Sequence, residues 1–95
     1  MDLRNLHYVA SERNAAWTEA QIGWTVVDGP LTDKPAAWLI LDSGANLGQL
    51  TVWVSGEAEM DWGTREIGGE RHYELASIEE LRAAIYDLEQ AVTQH

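Results

Sequence analysis

The stretch from Ala37 to Trp62 constrains the fold more than any other part of the chain. Ala37 to Leu41 is apolar at every position, too short for a buried helix and bounded by turn residues. A strand covered on both faces, in the middle of a sheet, reads this way. From Leu50 the pattern changes to alternation: Leu50, Val52 and Val54 point one way, Thr51 and Trp53 the other. The third run alternates as well, with Ala58, Met60 and Trp62 against Glu57, Glu59 and Asp61. The three runs predict adjacent antiparallel strands.

The turns set the expected registers. A loop of Ser55, Gly56 and Glu57 places Val54 opposite Ala58, Val52 opposite Met60 and Leu50 opposite Trp62, leaving one apolar face. A turn of Ser55-Gly56 alone would put Trp53 with Met60 and Trp62 instead. The hydrophobic pattern favours the first. Downstream, Gly68-Gly69 is a two-residue turn signal that sets Glu66 opposite Arg71, Thr64 opposite Tyr73 and Trp62 opposite Leu75. Asp61, Arg65, His72 and Glu74 then share the other face. Ser43 to Gly48 reads as a plain hairpin connection, without the helix or basic residues that a phosphate cradle needs.

The ends of the chain differ in legibility. Ser77-Ile-Glu-Glu80 is a capping box, and Ile78, Leu81, Ile85, Leu88 and Val92 recur at helical spacing, with Ala84 and Ala91 beside them. A helix over 78–92 is predicted, its stripe lying on the apolar face of the sheet. Leu3 to Val9 suggests a first strand, and Ser11 to Asn14 a polar turn. Ala15 to Val27 reads as a long strand, because Gly23 to Val27 are poor helix formers as a set, although Ser11 could cap a short helix carrying Trp17 and Ala20. Asp28-Gly29-Pro30 ends it. The expected fold is α+β: one domain over residues 1–95, a meander-like antiparallel sheet of five or six strands, and a C-terminal helix packed on one face.

Composition narrows the function. Ninety-five residues support one modest core, and with no Phe the five Trp and three Tyr are expected to supply much of it. There is no Cys, which excludes disulfides and thiolate metal sites and suits a reducing compartment. The first residues hold no long apolar run, so a cytoplasmic location is expected, without signal peptide or membrane span. Sixteen acids against six bases give a net charge of −10. Ten of the acids fall in residues 57–95. Such a chain repels nucleic acid and anionic membrane and attracts a basic partner.

Signals for chemistry are weak by comparison. His72 and Glu74 on one strand face lack a third ligand at a recognisable spacing, so no metal or other cofactor is expected. Glu57, Glu59 and Asp61 resemble an acid–base cluster, but alternating acids on a strand are more often a solvated face. Neither Ser43-Gly44 nor Ser55-Gly56 has a nucleophile elbow or a partnered His. No enzymatic activity is predicted. Trp53 alternates out of phase with Leu50 and Val52, so in the favoured register it stands outside among acids, where packing alone gives it no reason to be; in the two-residue-turn register it is core.

From Leu50 to Glu59, with the Trp53-Val54-Ser55-Gly56 turn, and again at Tyr73 to Ser77, where the helix starts, the chain resembles small bacterial immunity proteins. These are the antitoxin partners encoded beside polymorphic or contact-dependent toxins, notably the actinobacterial-type families with a β-meander and terminal helices. The resemblance spans roughly residues 37 to 92. It implies a protein that binds a toxin domain and blocks it, and it transfers no functional residue by position. A phage-encoded inhibitor of a defence nuclease would look similar. A small-ligand site lined by Trp and carboxylates, and a stand-alone structural module, are the other classes open. The surface expected to meet a basic toxin or nuclease domain is the outer face of the strands within 49–76, bearing Trp53, Glu57, Glu59, Asp61, His72 and Glu74.

Overall fold

A computed structural model describes residues 1–64 and 67–93. They form α1 (Arg4–Glu19), β1 (Gly23–Asp28), β2 (Ala36–Asp42), β3 (Leu47–Trp53), β4 (Glu57–Gly63), β5 (Gly68–Glu74) and α2 (Ile78–Thr93). The strands make one antiparallel sheet in sequence order, each paired with the next. Both helices lie on the same face. Ala37, Leu39 and Leu41 of β2, Leu50 and Val52 of β3, and Ala58 and Met60 of β4 are buried against Leu6, Val9 and Trp17 of α1 and Leu81, Ile85, Leu88 and Val92 of α2. The α+β expectation, with a C-terminal helix on the sheet, is met.

The capping box forms as the residues dictate. The Glu80 N–H donates to Ser77 Oγ at 3.2 Å, and the Glu80 carboxylate accepts from the Ala76 N–H at 3.1 Å. Both interactions satisfy amides that would otherwise face solvent at the start of α2. At the other end, Ser43 Oγ and Asn46 Nδ2 both donate to the Val92 carbonyl, at 2.7 and 3.1 Å. The β2–β3 connection is therefore more than a plain hairpin loop: it caps α2. It is also shorter than expected, because β3 already begins at Leu47.

The N-terminal third departs from the reading of the sequence. Leu3 to Val9 is not a strand, Ser11 to Asn14 is not a turn, and Ala15 to Glu19 is helical: apart from Leu3, which is the N-cap, all belong to α1. Only Leu6, Val9, Ala10 and Trp17 of this helix are buried, a sparse stripe that gives weak periodicity. The helix closes in a Schellman arrangement. Ile22 N–H donates to the Trp17 carbonyl at 2.8 Å and Gln21 N–H to Thr18 at 3.1 Å. Gln21 takes the left-handed conformation, φ 61°, where Gly is the usual signal. With Gln in that place the helix end is silent in the sequence, and the strand after it shrinks to Gly23–Asp28.

The strand registers also differ. Leu50 faces Met60 and Val52 faces Ala58, where Trp62 and Met60 were expected, a shift of two residues. The loop is Val54-Ser55-Gly56, with Gly56 at φ 95° supplying the left-handed residue of a three-residue hairpin. A Cβ there would lie 2.4 Å from the Leu75 carbonyl, so Gly56 serves close approach as well. In the next hairpin Trp62 pairs with Gly69 instead of Leu75, a shift of six, because Gly63 and Gly68 flank the turn and Gly69 is in the strand. The expected pairing of Glu66 with Arg71 and the position of Arg65 fall outside the described residues; Arg71 pairs with Met60.

Two further expectations are corrected. β2 is second in the sheet, not central, and it is covered on one face only: Ala37, Leu39 and Leu41 are buried, whereas Trp38 and Ile40 are half-buried on the other side. Nor do the tryptophans fill the core. Trp17 alone is fully buried, Trp24 and Trp62 pack at the core's margin, and Trp38 and Trp53 are not packed against it. Aliphatic side chains make up most of the core instead. No helix among the described residues is long and apolar enough to cross a membrane.

Candidate protein-binding face

Two helices on one side leave the other side of the sheet open. Strand alternation decides which residues stand there. On β4 they are Glu57, Glu59 and Asp61, opposite Glu74, His72 and Glu70 of β5. On β3 they are Gln49, Thr51 and Trp53, and Thr51 faces Glu59 as Gln49 faces Asp61. Among the described residues this half of the face carries five carboxylates. All six residues proposed from the sequence, Trp53, Glu57, Glu59, Asp61, His72 and Glu74, share the face.

Local contacts order the acids. His72 is held between two of them: Nδ1 lies 2.6 Å from Glu59 Oε1 and Nε2 lies 2.7 Å from Glu74 Oε1. Ionised carboxylates only accept, so the protonated ring, with an N–H on each nitrogen, can donate to both. The hydrogen bond to Glu74, and next the one to Glu59, raise the His72 pKa above the ordinary 6.5. Lys34, from the connection between β1 and β2, reaches across to the same face. Its Nζ is 2.8 Å from Glu57 Oε2 and 5.5 Å from the centroid of the Trp53 ring. That hydrogen bond lowers the Glu57 pKa. Asp61, Glu70 and Glu74 are exposed.

The sequence did not reveal the other half. Val27 of β1 lies opposite Trp38 of β2, Thr25 opposite Ile40, and Ala36 opposite Trp53. Trp38 and Ile40 were hidden inside a run that is apolar at every position, where period-two alternation leaves no trace. Lys34 carried no signal, because loop placement is a tertiary matter. An open groove of about 600 Å³ is lined by residues that include Asp42, Leu47, Gln49, Asp61 and Trp62. It exposes carboxylates and apolar surface.

The fold and this face define a small acidic α+β domain with one sheet face left open by its helices. The family model of Immunity protein TriTu matches residues 6–90, and the chain belongs to that family: it is a small bacterial immunity protein. None of the individual curated proteins compared with the chain matches it.

Proposed function

We propose that this immunity protein neutralises a cognate toxin domain by laying its acidic sheet face over a basic, substrate-binding surface of the toxin. The supporting observation is the concentration of Glu57, Glu59, Asp61, Glu70 and Glu74 on one open face, with Trp53 at its margin. An aromatic anchor within a charged surround is the composition of an interface hot spot. Inhibition is by occupancy, one protein per toxin, and requires no chemistry from the immunity protein. The acids steer the encounter, so association is fast at low salt and slows as salt screens them.

The test reverses charge at two positions. Glu59→Lys with Asp61→Lys is expected to slow association with the toxin domain encoded beside this chain by about tenfold or more at low ionic strength, and to flatten the salt dependence. Stopped-flow association between about 0.02 and 0.3 M salt reads both effects. An unchanged rate and an unchanged salt slope would show that the toxin binds elsewhere.

A further inference from the structure

We infer that Val27, Trp38, Ile40 and Trp53 form the apolar centre of the toxin interface, making the open face a two-part surface in which carboxylates govern capture and apolar side chains govern retention. This inference rests on the toxin-binding reading. The four side chains point away from the helices and belong neither to the buried core nor to the residues packed against it. Val27 and Trp38 are direct cross-strand partners, Ile40 is the next outward residue on β2, and Trp53 lies diagonally across from Trp38, within reach of an aromatic ring. Trp38 is braced as well: a Cβ on Gly29 would come within 3.0 Å of its ring, so the indole already lies against the chain. A pre-positioned aromatic loses little side-chain freedom on binding.

The register makes the two halves continuous. One row runs from Val27 through Trp38, Thr51 and Glu59 to His72; the next runs from Thr25 through Ile40, Gln49 and Asp61 to Glu70. Apolar surface on β1 and β2 thus passes through neutral polar residues on β3 to acids on β4 and β5. Charge complementarity identifies the occupant. Two copies of a chain with net charge −10 repel each other. A basic protein domain, with an apolar patch beside its cationic surface, fits both halves at once.

The experiment compares Trp38→Thr and Ile40→Thr with the wild type, binding a catalytically inactive form of the toxin domain encoded beside this chain. Threonine suits a strand and a solvated face. Far-UV circular dichroism and the urea midpoint establish that each variant is folded; should Trp38→Thr fail to fold, Ile40→Thr carries the test. Dissociation is expected to quicken by about 30-fold or more for Trp38→Thr, the effect of a hot-spot anchor, and by about tenfold for Ile40→Thr. Association rate and salt slope should stay within about twofold, because no charge has changed. A folded variant with the wild-type dissociation rate overturns the inference and leaves the acidic face standing. Sedimentation of the free wild type as a dimer that Ile40→Thr dissolves overturns it too, by making a second copy the occupant. If the wild type does not bind the toxin domain, the toxin-binding reading fails and this inference falls with it.

Discussion

His72 shows how far one side chain's state depends on its neighbours. On an isolated strand a histidine would titrate near its ordinary value. Here carboxylates meet both ring nitrogens, and the folded chain holds the proton to higher pH. A folded pKa above the unfolded one stabilises the protein below the unfolded value, about 6.5, and that contribution is lost as pH rises through the folded value. The His72 ring, followed by NMR, should therefore titrate above 6.5, and Glu74→Gln should move its midpoint down. A midpoint at 6.5 in the wild type, unmoved by Glu74→Gln, would mean that the two carboxylates do not hold the ring in solution. When the ring is neutral the acidic half of the face also loses a cation, leaving Lys34 beside Glu57 among the described residues. Attraction to a basic partner should strengthen accordingly at higher pH.

Among the elements, α1 and α2 present a contrast. α2 carries a full apolar stripe, a capping box and a carbonyl cap from the β2–β3 connection. α1 begins without a side-chain cap at Leu3, has a sparse buried stripe, and ends on a glutamine in a left-handed conformation. A side chain there costs about 1–2 kcal/mol relative to a right-handed residue, and glycine escapes that cost while adding some unfolded-state entropy. Gln21→Gly should thus raise stability by roughly 0.5–1 kcal/mol, measured as a shift in the urea midpoint at constant slope. A loss of stability would show that the Gln21 side chain contributes something that its exposed position does not suggest.

At the scale of the whole molecule, the two helices must be held to each other as well as to the sheet. Glu89 does this. It is a buried carboxylate on α2 that accepts from Arg13 Nε at 2.6 Å, from Arg13 Nη2 at 3.0 Å and from Trp17 Nε1 at 2.8 Å. Arg82 and Glu12 add an exposed pair, 3.1 Å apart, between the same helices. Exposed pairs contribute little, so the buried group carries the weight. Glu89→Ala strands the Trp17 N–H in the core while Arg13, 44% exposed, turns to water. The expected loss is about 1–3 kcal/mol in a urea titration, from one unsatisfied buried donor. Glu89→Gln, whose amide oxygen can still accept from Trp17, should lose less. Equal losses would assign the effect to the charge.

The sequence alone determined what is local and periodic. The capping box and the three- and four-residue spacing predicted α2 nearly to its ends, and alternation from Leu50 to Trp62 assigned Leu50, Val52, Ala58 and Met60 to the covered side and Trp53, Glu57, Glu59 and Asp61 to the open side. Those assignments survived wrong registers for a physical reason. Strand side chains repeat every two residues, and the pairings were off by two and by six, both even, so no residue within the paired strands changed face, although Val54, expected opposite Ala58, became an exposed loop residue. Tertiary structure decided the rest. Arg4 to Glu19 became a helix because Leu6, Val9 and Trp17 found a sheet to lie on, a contact that weak local periodicity does not announce. Trp38 and Ile40 became surface because both helices chose one side, and an all-apolar run carries no mark of which alternate set will be covered. Lys34 came to rest on Trp53 and Glu57 because a loop's path is set by what it packs against, 23 residues away from Glu57 along the chain.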